Sequence, residues 1–528
     1  MTSFRLTVKN FRCFPDHSPL RLTVAPGFTA FAGINNAGKS SILRLFWEMG
    51  GILRLLAQAP GNFTQAFQRM DAVANIQTLP GEDPFSKLND RPLEFEIAWS
   101  APDLREGTGK LVDHAITILV PRARAGYSLR YTTSGPDIPS ATATISGTIL
   151  AFQGRPTVDA KPFFDACALL GNGLYLGPFR NTINAGGGER YFDVVVGQQF
   201  SAQFHEFKSG GTPSQNEAIY RLQQDITRIF GLTSLEINAD PSRTALQVFV
   251  DGRSFRLTEL GAGLAQFILV LANVLVRQPP IVYIDEPEAS LHPALQLDFL
   301  TTLASYTTTS SVMLATHNLG LARASSDRIY SCRRVALGVT EVRPLEATPH
   351  LAEFLGELGF SAYRDLGYES VLLVEGPSDV KTFQQLLRLW RKDHNVVLLP
   401  LGGSSMINAS AEAELVEVAR IGPKVAAVID SERESRGATL APDRQGFIDT
   451  CNRLGIAVHV LDRRAIENYL SDTAVKSVLG QQYRALGEYE SLRDAPLGWA
   501  KRDNWRIARE TEQADFSHTD LGRLLDDL

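Results

Sequence analysis

The sequence is poor in cysteine. Its four thiols, Cys13, Cys167, Cys332 and Cys451, stand far apart in 528 residues and show no CxxC spacing. That argues against a disulfide framework and a cysteine zinc site, and it fits a reducing cytosol. Long apolar runs are missing as well. The longest, Phe267 to Val276, is interrupted by Asn273 and is too short to span a bilayer, so no membrane association is expected. The opening stretch MTSFRLTVKNFRCF has no apolar segment of the secretory kind, and a cytoplasmic location is expected. There is no excess of basic charge: 52 Lys and Arg face 58 Asp and Glu, a net charge of −6. A chain that coats nucleic acid through bulk charge is thereby excluded, although a local basic groove is not. Internal repeats and sustained heptads are absent, which argues against a long coiled-coil arm.

What remains is ordinary globular composition, with 44% hydrophobic and 21% charged residues. At roughly 150 residues per domain, the length predicts two to four domains. Two long stretches alternate apolar strands with helical patterns, and the fold class expected is α/β. The first opens with FRLTVKNFRCF and LRLTVAPGFTAFAG, the second with YESVLLVEG near Gly367. Between Ala57 and Pro178 the chain reads as an insert with short strand candidates at LEFEIAW, AITILV and YSLRYTT. Gly186, Gly187 and Gly188 mark a flexible loop. After about Ser477 the pattern is that of polar helices.

Gly33-Ile-Asn-Asn-Ala-Gly-Lys39-Ser40 fits GxxxxGK[ST] at every fixed position. It follows the strand FTAFA and precedes the helical run SSILRLFWEM, the context a phosphate loop requires. Gly33 and Gly38 let the backbone wrap a phosphate, and the helix N-terminus then faces negative charge. ATP with Mg²⁺ is the expected ligand. Asn35, Asn36, Gly38, Lys39, Ser40 and Ser41 are the expected contacts, with Lys39 reaching the outer phosphates and Ser40 holding the metal. A second apolar strand, Ile281 to Asp285, ends in two acids. Asp285 is expected to bind Mg²⁺, and Glu286 to polarise the attacking water.

The order of motifs adds specificity. Leu260-Gly-Ala-Gly-Leu-Ala-Gln266 lies upstream of the acidic strand. Glu288-Ala-Ser-Leu-His-Pro293 follows it, and the strand SVMLAT ends at His317-Asn318. This arrangement resembles the ABC-type ATPases of the SMC, RecF and OLD group. The resemblance implies that Gly261 and Gly263 contact the nucleotide of a partner subunit, that Ser290 lies at the dimer interface and that His317 senses the γ-phosphate. The signature reads GAGLAQ, without the serine that transporters carry. About 240 residues separate the phosphate loop from the acidic strand, more than one βαβ module needs. Tyr175-Leu-Gly-Pro-Phe-Arg180 resembles a stretch of OLD-type ATPases, which makes Arg180 a nucleotide or interface candidate.

A second set of acids stands at strand ends further on. Ser370-Val-Leu-Leu-Val-Glu375-Gly-Pro-Ser-Asp379 places Glu375 at a carboxyl end, where α/β sheets host chemistry. Val396 to Gly403 gives a second strand and Val425 to Asp430 a third, followed by Ser431-Glu432. Ile456 to Leu461 gives a fourth, followed by Ala465-Ile-Glu467-Asn-Tyr-Leu470. Clustered carboxylates suit Mg²⁺ or Mn²⁺, and two such ions suit phosphodiester cleavage. Over about 100 residues, Glu369 to Leu470, the pattern resembles the TOPRIM domain of topoisomerases, primases and OLD-family nucleases. The resemblance implies metal ligation by Glu375, Asp379, Asp430, Glu432 and Glu467, with DSE where the family has DxD. Glu375 and Asp430 are the leading acids, and Lys501, in WAKRDNW, is the candidate for the scissile phosphate. Arg502, Arg506 and Arg509 lie near it as possible backbone contacts for nucleic acid.

Taken whole, the sequence resembles the OLD family. The resemblance implies an ABC-type P-loop ATPase head with a globular insert over 1–365 (insert 57–178), a TOPRIM Rossmann-like nuclease domain over 366–475 and a helical extension over 476–528. It implies a homodimer or larger even assembly, a nucleic-acid substrate with DNA favoured, and a role in anti-phage defence with nucleotide state gating the nuclease. The alternative is an ATPase sensor or scaffold that controls a TOPRIM effector, an RNA or tRNA nuclease, on meeting a phage protein or a partner defence protein. A repair clamp with an inert TOPRIM is a third reading, and the full set of acids argues against it.

Overall fold

The computed structural model describes residues 3–33, 36–58, 60–67, 76–105, 109–122, 126–134, 143–178, 190–210, 212–289, 291, 293–345, 370–393, 396–401, 415 and 424–528. The chain divides into two compact units. One holds Met1–His292, Thr302–His317 and Tyr330–Pro344; the other holds Pro293–Thr301, Asn318–Ile329 and Leu345–Leu528. The boundary expected near residue 365 and the Gly186–Gly188 loop fall outside the described residues.

The first unit contains an antiparallel sheet in the order Leu20–Val24, Phe4–Lys9, Leu93–Pro102, Leu111–Val120, Ser128–Thr133. Alternation builds it: Leu93, Phe95, Ile97 and Trp99 are buried while the residues between them are more open. Leu6 sits opposite Ile97 in register. The three strand candidates of the 57–178 stretch are therefore real strands. They extend the sheet that the first strands of the chain begin, so the stretch is no free-standing insert.

The second sheet runs Leu174–Leu176, Ile281–Asp285, Ser311–Thr316, Phe28–Ala32, Arg328–Ala336, Val339–Pro344. The first four strands are parallel to one another. Ile281–Asp285, Ser311–Thr316 and Phe28–Ala32 are buried at every position. That is why they read as continuous apolar runs and not as alternating ones. Helix Lys39–Gln58 buries Ile42, Leu43, Phe46, Met49, Ile52, Leu53 and Leu56 and packs on helix Lys161–Gly171. The two come close because Gly171 has no side chain: a Cβ there would stand 2.8 Å from the Arg54 amide nitrogen.

The second unit is built on a four-stranded parallel sheet in the order Val396–Pro400, Ser370–Val374, Val425–Ile429, Ala457–Val460. From Ser370–Val374 the chain moves first to one side and then to the other. The reversal leaves a crevice at the carboxyl ends of Ser370–Val374 and Val425–Ile429. Helix Pro377–Leu389 is amphipathic, and its buried face carries Lys381 and Arg388 as well as Val380, Phe383 and Leu386. Lys381 pairs with Asp327 at 3.2 Å, and Arg388 pairs with Asp298. Those pairs balance the charge of two buried cations and tie the segments of Asp298 and Asp327 to this helix.

Beyond Ser471 the chain forms short helices, Asp472–Leu479, Asn504–Arg509 and Asp520–Asp527. They are amphipathic, not merely polar: Ile507, Phe516, Leu521 and Leu525 are fully buried and join one core with Leu372, Val374 and Val380. The segment after 476 is thus part of this unit's core.

Candidate functional site

Strand Phe28–Ala32 delivers the chain to Gly33, and helix Lys39–Gln58 leaves the loop. The loop fits closely against its neighbours. A Cβ on Gly33 would lie 2.4 Å from the Cys332 carbonyl oxygen, and one on Gly38 would lie 2.8 Å from both Cys13 Sγ and Thr340 Oγ1. Gly38 also has φ +85°, a backbone state that side chains rarely adopt. Lys39 is buried, and its ammonium donates to the Gly33 carbonyl at 2.8 Å, so the cation already lies across the loop. Asn36 is exposed with φ +63°, Ser40 is exposed, and Ser41 stands by the Cys13 thiol. Asn35, Ser290 and Arg180 lie outside the described residues.

Register brings the second acidic strand to the loop. Asp285 sits opposite Ala315, and Thr316 sits opposite Ala32. Asp285, His317 and Gly33 therefore emerge at one sheet edge. Asp285 is 1% exposed, and among the described residues neither of its carboxylate oxygens has a hydrogen-bond partner. Burial raises its pKa to about 6, with Glu286 and Glu288 adding to the rise while Ser40 and Lys39 oppose it. A buried carboxylate beside an exposed hydroxyl is a donor set that fits Mg²⁺. Glu286 turns out of the strand with φ +50°, and its backbone amide donates a hydrogen bond to the Ala315 carbonyl at 2.9 Å.

Glu288 is a residue the motif contained but to which it assigned no role. Its Oε1 accepts from Thr316 Oγ1 at 2.6 Å and from the His317 amide at 3.1 Å, and His317 Nδ1 lies 3.1 Å from the same oxygen. Gly261 and Gly263 open helix Ala262–Arg277, whose start is exposed. Gln266, one turn in, is buried, and among the described residues neither of its side-chain polar atoms has a hydrogen-bond partner. No hydrogen bond joins Gly261 or Gly263 to the phosphate loop among the described residues. Tyr175 donates its amide to Asp193 at 2.9 Å, which anchors the start of the YLGPFR stretch.

In the second unit four acids gather at the crevice. Glu375 follows Ser370–Val374, and Asp430 follows Val425–Ile429. Asp379 stands in the first turn of Pro377–Leu389, and Glu467 lies in the turn Ile466–Tyr469. All four are buried. Glu375 Oε1 accepts from the Asp430 amide at 2.9 Å and from Arg444 Nη1 at 2.7 Å. Arg444 Nη1 also donates to the Asp430 carbonyl. Asp430 Oδ1 accepts from the Ile466 amide at 3.0 Å. Asp379 Oδ2 caps its own helix through the Gly376 amide at 3.0 Å. Lys501 Nζ stands 3.6 Å from Asp430 and 3.5 Å from Glu467. Asn504 Nδ2 reaches Glu467 at 3.4 Å.

The electrostatics follow from crowding. Burial, then Glu375 and Glu467, raise Asp379 to about 7, with Lys501 opposing. Asp430 is raised by burial and by Glu375 and Asp379. Burial works against the Lys501 ammonium, but the fields of Asp430, Glu467, Asp379 and Glu432 outweigh it and raise its pKa. Among the described residues Asp379 Oδ1 and Asp430 Oδ2 are buried without hydrogen-bond partners. These oxygens, with Glu375 and Glu467, are hard donors that suit Mg²⁺ or Mn²⁺. As they stand, no group of three His, Cys, Asp or Glu among the described residues is arranged to hold an ion; Lys501 supplies the positive charge. Glu432 is exposed, with φ +52°, and its carboxylate pairs with Arg464 at 3.0 Å. Arg506 pairs with Asp503 at 3.2 Å.

Sequence reasoning missed Arg444 and Asn504. Arg444 lies in no motif, and Asn504, although inside WAKRDNW, was given no role there; the fold brings both to the acids. Glu288 could have been found, since it stands in the same short motif as Asp285.

Among the described residues no helix is long and apolar enough to cross a membrane. No curated protein matches the chain. Among solved structures, the SMC head domain from Thermotoga maritima is 17% identical, with a TM-score of 0.33, covering 66% of this chain and 100% of that one. The Smc head bound to the C-terminal winged-helix domain of ScpA is 17% identical, with a TM-score of 0.36, covering 65% and 98%. The Smc head domain with an extended coiled coil, bound to the C-terminal domain of ScpA derived from Pyrococcus furiosus, is 15% identical, with a TM-score of 0.36, covering 68% and 100%. The family described as "AAA domain, putative AbiEii toxin, Type IV TA system" matches residues 28–323. That span runs from the phosphate-loop strand past His317 and takes in more than half of the sequence, so the chain belongs to this family of P-loop ATPase domains.

Proposed function

We propose that the chain is an ATP-regulated, metal-dependent nuclease of the OLD kind, acting in anti-phage defence with DNA as the favoured substrate. The observation that carries this reading is the crevice of the parallel sheet, where Glu375, Asp379, Asp430 and Glu467 converge around Lys501. On this reading 366–475 is the TOPRIM domain, 476–528 its helical extension and 1–365 the ATPase head. Glu375, Asp379, Asp430 and Glu467 would hold Mg²⁺ or Mn²⁺, and Glu432 would join them only by leaving Arg464. The bound ions would activate water and stabilise the leaving oxygen. Lys501, half exposed beside the acids, would meet the scissile phosphate. In the ATPase, Lys39 and Ser40 would hold nucleotide and Mg²⁺ with Asp285, and Glu286 would polarise water. Gly261, Gly263 and Ser290 would serve a second copy of the chain, which makes a homodimer or larger even assembly the working form.

A second reading has its own support: the family's description names a toxin of a toxin–antitoxin system. Under it the ATPase is a sensor, and the acids form an RNA-directed effector released by a phage protein or partner. One experiment separates these readings. DNA and RNA substrates are incubated with the protein while metal and nucleotide are varied, with Lys39→Ala and Glu375→Ala as controls. Cleavage of DNA lost in Glu375→Ala supports the first reading. Cleavage of RNA only after a phage lysate or partner is added supports the second. No cleavage under any of these conditions defeats both.

A further inference from the structure

Strands Arg328–Ala336 and Val339–Pro344 form an antiparallel ribbon at the edge of the first unit's parallel sheet. Leu337 and Gly338 turn it, with Gly338 at φ +74°. No motif gives this ribbon a task. Every residue of 333–338 is exposed, Val335 at 51% and Leu337 at 82%. Single apolar residues on a surface are ordinary, but Val335, Ala336 and Leu337 stand together at one tip.

The ribbon's charge is mostly of one sign. Tyr330–Pro344 holds three arginines and one glutamate. That glutamate, Glu341, is taken by Arg343 at 2.5 Å. Arg333 and Arg334 make no ion pair among the described residues. Unpaired guanidinium groups beside an apolar tip suit a polyanion that has grooves. A two-stranded ribbon fits the major groove of duplex DNA, arginine binds phosphate, and apolar side chains seat against base edges. An acidic peptide would answer the arginines but would leave the apolar tip in water.

The base of the ribbon packs on the phosphate loop. A Cβ on Gly33 would stand 2.4 Å from the Cys332 carbonyl oxygen, and one on Gly38 would stand 2.8 Å from Thr340 Oγ1. Thr340 is held there: its amide donates to the Cys13 carbonyl at 2.9 Å, and the Ser18 hydroxyl donates to its own carbonyl at 3.2 Å. Tip and base are one step apart. Arg333 follows Cys332, and Arg334 sits opposite Thr340 in register. Each of these arginines therefore neighbours a residue that meets a glycine of the loop. Contacts this close pass a shift on one side to the other.

We propose that this ribbon is a duplex-DNA docking surface of the ATPase unit. Arg333 and Arg334 take phosphates, 335–337 enters the groove, and Cys332 and Thr340 couple occupancy of the ribbon to nucleotide at Gly33 and Gly38. The proposal rests on the reading of DNA as substrate and adds the surface of the first unit that meets it.

The test uses the full chain and fluorescently labelled phosphorothioate duplex DNA, which resists cleavage. Fluorescence anisotropy in Mg²⁺ gives Kd over a salt series, with and without a non-hydrolysable ATP analogue. The variants are Arg333→Ala/Arg334→Ala and Leu337→Asp, all at exposed positions. The double variant is expected to weaken binding by about tenfold or more and to shrink the slope of log K against log salt by about 2. Leu337→Asp sets an acid against the phosphates and is expected to weaken binding by about tenfold as well. In the wild type the analogue is expected to shift the duplex Kd by about fivefold or more, and the duplex to shift the analogue's Kd by the same factor. The double variant is expected to lose both shifts. Wild-type affinity and slope in the double variant overturn the proposal, as does a wild-type duplex Kd that the analogue leaves unchanged. Polyglutamate that displaces the duplex as efficiently as unlabelled duplex does assigns the ribbon to an acidic protein and overturns it too. Cleavage of an unmodified duplex is followed separately. Cutting by a double variant that binds as the wild type does sinks the ribbon alone, and ribbon-dependent binding without any cutting sinks the nuclease reading alone.

Discussion

Arg444 donates a 2.7 Å hydrogen bond to Glu375, and both residues are buried. The same guanidinium nitrogen reaches the carbonyl of Asp430, so one cation bridges the tips of two neighbouring strands. Removing one partner of a buried ion pair strands the other, at a cost of about 3–5 kcal/mol. Arg444→Ala should therefore lower the thermal midpoint sharply. Arg444→Met with Glu375→Gln, which leaves no unpaired charge, should recover most of it. Calorimetry of the two variants beside the wild type checks this, and a double variant no better than Arg444→Ala would show that the pair is not what holds the crevice together.

The raised acids give a pH dependence of definite sign. Burial lifts Asp285 to about 6, and burial with its neighbours lifts Asp379 to about 7. A carboxyl whose folded pKa lies above its unfolded value adds stability at low pH. That stability is lost as pH rises through the folded value. The metal-free protein should lose stability between about pH 4 and pH 7, on the order of 3 kcal/mol from Asp285 alone. Asp285→Asn and Asp379→Asn should each flatten that decline and raise the midpoint at pH 8 in EDTA. Midpoints that are flat with pH in the wild type would contradict this.

Lys501 places an ammonium between Asp430 and Glu467. If that charge stands in for a divalent ion, removing it leaves the acids with a stronger demand for one. Lys501→Gln should bind Mn²⁺ more tightly than the wild type in a titration followed by electron paramagnetic resonance, while cleavage is lost. Weaker binding would mean that Lys501 organises the acids and does not balance them.

Asp520 fixes the last helix to the sheet. It accepts from His459 at 3.0 Å, from the Tyr469 hydroxyl at 2.6 Å and from the Asp462 amide at 2.9 Å. Burial works to raise its pKa, but those bonds bring it down to about 2. Its contribution is present above the unfolded value and fades as pH falls toward 2. Asp520→Asn should destabilise the protein at pH 7 and have little effect at pH 2.5. Limited proteolysis of the variant should cut first near the last helix. Equal protection in both chains would count against the clamp.

The sequence made the strands legible because the phosphate-loop strand, SVMLAT and VLLV are buried on both faces and read as unbroken apolar runs. Asp285, Glu375, Asp379, Asp430 and Glu467 were legible because acids at strand ends and helix starts follow from local pattern. Less visible was how 57–178 joins the first strands, since antiparallel pairing of Leu6 with Ile97 leaves no local mark. Glu432 reads as the partner of Asp430 because DSE stands where the resembled family has DxD. The strand ends at Ile429, and the turn at Glu432 sends its side chain to Arg464. Arg444 and Asn504 were illegible for the same reason: only the tertiary fold brings them to the acids.

The way the last helices close the second core has a consequence for biosynthesis. Lys501 and Asn504 reach the acids from the C-terminal stretch that also supplies Ile507, Phe516 and Leu521 to that core. A growing chain assembles its earlier portions first. The phosphate loop and its acidic strand can therefore be complete while the crevice still lacks its cation and its closing layer. Truncated products and nascent chains would be able to complete the phosphate loop before the crevice, so the half to which we assign the proposed cleavage is finished last.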